Sequence, residues 1–94
     1  MIGEMMMLYP IFSIEDGTEA TASNPDEKGN IKLYVEKFDH TKDMFDNATF
    51  LLPGVAIVSS SGYSADELVT MQKEYSEIQN DIVDYVMEQV KQNA

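Results

Sequence analysis

The sequence contains no cysteine and a single histidine, His40. The first absence removes disulfide bonds, thiol nucleophiles and thiolate metal sites, and the second removes any metal site built from several imidazoles. Basic residues are scarce as well, six Lys plus Arg against seventeen Asp plus Glu, for a formal charge of -11. A surface of that sign repels phosphates and anionic headgroups, so direct binding to nucleic acid or to a membrane surface is not expected. No apolar run approaches the roughly 20 residues of a membrane-spanning helix. The Met-rich start is interrupted by Glu4 and Pro10 and lacks both the basic leader and the small-residue cleavage site of a signal peptide. The expectation is a cytoplasmic protein with no cofactor and no metal.

What is present suffices for a fold. Hydrophobic residues are 44% of the 94, including four Phe and five Tyr, too apolar for a disordered chain and too few for two separate cores. Residues 1–94 are therefore read as one domain, with Met1–Met6 as an extension before it. An apolar segment over about 7–14 predicts a strand, which Pro10 confines to an edge or a bulge. Glu15–Asp16–Gly17 is a turn, and the polar stretch to Asn30 reads as a loop with a short extension at Thr18–Ala22. Ile31, Leu33 and Val35 alternate with Lys32, Tyr34 and Glu36, which predicts a strand over about 31–38. Asp39–Asn47 fits a loop or one helical turn, and the Pro53–Gly54 break precedes a third strand over about 55–60.

The last third is a helix over about 65–91. Ser64 with Glu67 three residues on forms a capping box, and Asp66 favours the positive end of the helix. Leu68, Met71, Tyr75, Ile78, Ile82 and Tyr85 recur at three- and four-residue spacing and predict the buried stripe. The fold class is α+β, an antiparallel sheet of three strands, with room for a fourth, packed against one long C-terminal helix. A helix of that length is roughly 40 Å long, longer than the strands beneath it. Its far end is therefore expected to meet a second copy, in a homodimer, or another partner.

No constellation points to catalysis. His40 beside Asp39 lies near Asp43 and Asp46, but these carboxylates lack the alternating ligand positions and central glycine of a calcium loop. Ser59, Ser60 and Ser61 have no nearby base in sequence, Ser64 is already a cap, and Gly54 and Gly62 are turn glycines. The charge pattern says more. Asp66, Glu67, Glu74, Glu77, Asp81, Asp84 and Glu88 crowd the helix against only Lys73 and Lys91. Two readings stay open, a solvated face that keeps a small protein soluble and a surface complementary to a basic partner.

Tyr9-Pro10-Ile11-Phe12, Leu52-Pro53-Gly54, and Gly62 with Ser64, Asp66, Glu67 and Leu68 together resemble the small amino-terminal domain of HicB-family antitoxins. That family opens with a Tyr-Pro-Ala-hydrophobic-Phe strand, turns at Pro-Asp-Leu-Pro-Gly, and starts its helix at Gly-Asp-Thr-x-Glu-Glu-Ala. The chain departs from it in an added segment, His40–Thr49, and in a longer strand over 55–61. It also carries no DNA-binding segment after its helix, so operator binding is not among the expectations. The resemblance implies a partial ribonuclease-H-like fold without nuclease activity, one that masks a small basic RNA-cleaving toxin. On that reading Tyr34, Glu36, Asp39, Asp43 and Asp46 contact the basic partner, while Leu52, Pro53, Gly54, Gly62, Ser64 and Glu67 set turn and cap geometry. Two alternatives are a phage-type inhibitor of a host nucleic-acid enzyme, such as an anti-CRISPR protein, and a self-associating structural protein.

Overall fold

The computed structural model describes residues 8–93; the Met1–Met6 extension lies outside them. Five strands precede one helix: β1 (Leu8–Ser13), β2 (Glu19–Ser23), β3 (Ile31–Asp39), β4 (Met44–Leu52), β5 (Ala56–Ser61) and α1 (Ala65–Gln92). The strands pair in chain order, every pair antiparallel, as a meander. The three strands expected from the sequence are β1, β3 and β5, and the fold adds β2 and β4. Among the described residues no helix is long and apolar enough to cross a membrane.

Each added strand has a local cause. Between β3 and β4 the chain turns on Asp39, whose Oδ1 accepts from Thr41 N at 2.9 Å and Thr41 Oγ1 at 2.6 Å. This side-chain turn replaces the helical turn that the same residues also allowed, and it lets Met44 to Asn47 pair back onto β3 although Met44 and Phe45 stay exposed. In β2, Ala20 and Ala22 are buried on the face toward the helix. Their small size matters because Tyr75 of α1 packs on both Phe12 of β1, with ring centroids 5.8 Å apart, and Phe50 of β4, 5.5 Å away. Larger side chains on β2 would occupy the space between those rings.

The inner face of the sheet carries Tyr9, Leu33, Val35, Phe50 and Leu52, all buried, and α1 lies across it with Met71, Tyr75, Ile82 and Val86. Both halves of the capping box form: Glu67 N donates to Ser64 Oγ at 3.1 Å, and Ser64 N donates to Glu67 Oε1 at 2.8 Å. Val90 remains half-buried against the core. The helix thus keeps contact with the core of its own chain as far as its last turn. β1 is an edge strand whose register slips between Pro10 and Phe12, as proline at an edge permits. Val55 is not part of β5; it sits in the turn after Pro53–Gly54 with φ +55, buried, its carbonyl accepting from Gln72 Nε2 at 2.9 Å. A second glutamine, Gln79, accepts from Gly54 N at 2.7 Å, so two helix side chains clasp this turn.

Two members of the expected core stripe are misplaced. Ile78 and Tyr85 are 38% and 42% exposed, because they fall at the margin of the buried arc, toward β1. Ile78→Ala should therefore lower the urea unfolding free energy by less than about 1 kcal/mol, against the 2–5 kcal/mol typical of a fully buried isoleucine.

Candidate protein-binding groove

With 100° between successive helix residues, the seven acidic residues of α1 from Asp66 to Glu88 fall within a single arc of about 100°. That arc is turned toward β1. Glu67 and Glu74 line an open cavity of about 360 Å³ bounded by the β1–β2 turn and by Lys37 of β3. Two turns further along the same flank, Asp81 lines a second depression of about 400 Å³ whose walls are apolar, from Ile11, Phe12, Ile78 and Tyr85.

The first cavity joins residues from four parts of the chain. Asp16 enters from the β1–β2 turn, where its Oδ1 accepts from Thr18 N at 2.9 Å and its Oδ2 lies 3.6 Å from Lys37 Nζ. The Thr18 amide, then the Thr18 hydroxyl, then Lys37 hold the Asp16 carboxyl below the usual carboxylate range. Tyr63 comes from the loop before the helix. Its hydroxyl is buried with no hydrogen-bond partner among the described residues. Burial, followed by the charges of Asp46, Asp16, Glu67 and Glu36, pushes that phenol up. Tyr75 and Met71 form the floor. Burial, with smaller contributions from Tyr63, Glu74 and Asp16, pushes the Tyr75 phenol up to about 12.

The arrangement is an aromatic and thioether floor beneath a carboxylate rim, with its one cation already paired. An arginine or lysine from another protein finds there an apolar surface for its stem, ring faces for its cationic head and carboxylates to receive its N–H groups. No cluster of three or more His, Asp or Glu residues among the described residues is placed to hold a metal ion. The buried phenol also has a measurable consequence. Because the folded pKa of Tyr75 is about 12 against 10.0 for the free side chain, its contribution to stability is complete below pH 10 and is lost as pH rises from 10 through 12. Alkaline unfolding followed by circular dichroism should begin above pH 10, and in Tyr75→Phe that component should disappear.

The partner residues expected from the sequence do not form one surface. Tyr34 and Glu36 lie on the outer face of the sheet, opposite the helix, beside Leu8, Glu19 and Thr21. Asp39, Asp43 and Asp46 lie at the end of the β3–β4 hairpin, where Lys42 Nζ takes Asp46 at 2.9 Å and Asp39 at 3.5 Å. The Asp39 carboxyl falls to about 2, first through the Thr41 hydroxyl and amide and then through Lys42. Two of the three hairpin carboxylates are thus already engaged within the chain. Of the motif residues, Leu52 is buried at the end of β4, Pro53 and Gly54 form the clasped turn, and Ser64 and Glu67 form the cap. Gly62, with φ +95, passes so close to Asp46 that a Cβ would collide with its carboxylate.

No family model, curated protein or solved structure matches this chain. The likeness to HicB-family antitoxins thus rests on the short motifs, and the fold inserts β2 and β4 between them. The groove residues that sequence reading missed, Asp16, Thr18, Lys37 and Tyr63, come from separate segments with no shared spacing. The acidic arc did have a signal, since projecting α1 at 100° per residue gathers its carboxylates on one side.

Proposed function

We propose that the chain is a non-catalytic interaction module of the antitoxin type that HicB-family proteins represent, binding and masking a basic, RNA-cleaving protein in the cytoplasm. The observation that carries this reading is the sorting of charge. Seven helix carboxylates occupy one arc and run on into a groove completed by Asp16, Tyr63 and Tyr75. The apolar depression beside it supplies what charge alone does not, a desolvated anchor flanked by a polar rim, the usual anatomy of a specific interface. Exposure of Ile78 and Tyr85 on that flank fits the same use.

Purification of the tagged protein from its source cells tests the proposal. A small basic protein should co-purify at low salt and dissociate as ionic strength rises. Such a protein should also arrest growth when expressed alone and cease to do so when this chain is co-expressed. Recovery of a large nucleic-acid enzyme on the same salt-sensitive surface would replace the antitoxin reading with the inhibitor reading, and a partner with no basic surface would overturn both.

A further inference from the structure

The flank of the molecule away from the groove has the opposite character. Asn47 to Ala65 is an uninterrupted run without a charged residue, in a chain whose formal charge is -11. It includes β5, the other edge of the sheet, all six residues of which are exposed. The helix side that borders it is identified by Gln72 and Gln79, which bond to the turn just before β5. Along that side the helix runs through Val69, Gln72, Ser76, Gln79 and Val83, at three- and four-residue spacing, and on to Val90, with no charged residue on the stripe. A charge-free segment and a charge-free stripe of the helix, far apart in sequence, are brought together at one edge of the fold. Ile57, Val58 and Val69 there are 41%, 51% and 61% exposed.

We propose that this flank is where two copies of the chain pair, β5 against β5 about a two-fold axis with the neutral sides of the two helices alongside. Charge selects the occupant. A basic partner is drawn to the acidic arc and gains nothing electrostatic from a neutral surface. A second copy is repelled by the arc and meets no like charge at β5. Asp46, just before the charge-free run, is paired with Lys42 at 2.9 Å. The two sheet edges also differ in protection. β1 carries both a proline and a register slip, whereas β5 has only a slip at Val58 and neither charge nor proline to deter pairing. An isologous pair of this kind leaves both acidic grooves open, on opposite outer sides.

Sedimentation equilibrium on the purified protein tests this without any partner, so its result is separate from the antitoxin proposal. A dimer is expected, and Val58→Glu with Val69→Glu should raise its dissociation constant roughly 10- to 100-fold by opposing like charges across the axis, while circular dichroism confirms that the fold persists. Because the chain has no cysteine, single replacements report proximity directly. Ser59→Cys or Ser60→Cys should give disulfide-linked dimers under mild oxidation, and Glu77→Cys on the acidic arc should not. A protein that stays monomeric at every concentration, or a dimer indifferent to Val58→Glu with Val69→Glu and linked through Glu77→Cys, would overturn the proposal.

Discussion

Phe50→Ala should lower the unfolding free energy by about 3–5 kcal/mol, the largest effect expected of any single substitution in this chain. Phe50 is fully buried near the middle of the sheet, paired with Leu33 on β3 and Ile57 on β5. Its ring meets Tyr75 edge to face at 5.5 Å, which is the main aromatic link between β4 and the helix. Truncation removes that contact and leaves a void between layers that cannot close, because the alanines of β2 on the same face have nothing to extend into it. Domains of this size have only about 5–15 kcal/mol of total stability, so the substitution removes a large fraction of what holds the fold together. A urea melt with a loss below about 1 kcal/mol would mean that the helix does not sit on this part of the sheet.

Glu74→Lys combined with Asp81→Lys should slow association with the basic partner by about 10- to 100-fold and flatten its salt dependence. Both residues are exposed on the acidic arc, one at each depression. Neither contributes to the core, and lysine is a good helix former, so the thermal unfolding midpoint should hold or rise. The control changes net charge by the same amount elsewhere. Glu27→Lys lies in the β2–β3 turn and Glu36→Lys on the outer face of the sheet. This second pair should alter the association rate only a few-fold, through the long-range field alone. Equal slowing by both pairs would make net charge, and not the arc, the determinant.

The elements read most directly from the sequence are those held by local chemistry. Alternation at Ile31, Leu33 and Val35 marks β3, and the Ser64–Glu67 box marks the start of α1. β2 was hard to see because alanine has little strand preference of its own, and Ala20 and Ala22 are strand residues only because Tyr75 needs a thin layer between Phe12 and Phe50. The first half of β4 is largely exposed and exists as a strand because Asp39 closes the hairpin. Ile78 had the right spacing for the core but lies at its margin, a distinction that depends on where the helix axis crosses the sheet. The candidate site was less legible. Asp39, Asp43 and Asp46 stood out as a local cluster, yet Lys42 draws two of them inward. The groove is assembled by long-range packing of Asp16, Lys37 and Tyr63 on the helix, which no local pattern records.

The most direct test of the central claim is parallel capture from lysate of the source organism on two columns, one carrying the wild-type protein and the other the Glu74→Lys, Asp81→Lys variant, each eluted with rising salt. The account predicts a basic protein retained by the wild type at low salt, released as salt rises, and absent from the variant column while the variant keeps its melting temperature. The same protein held equally by both columns would show that the acidic arc is a solvated face and not the binding surface.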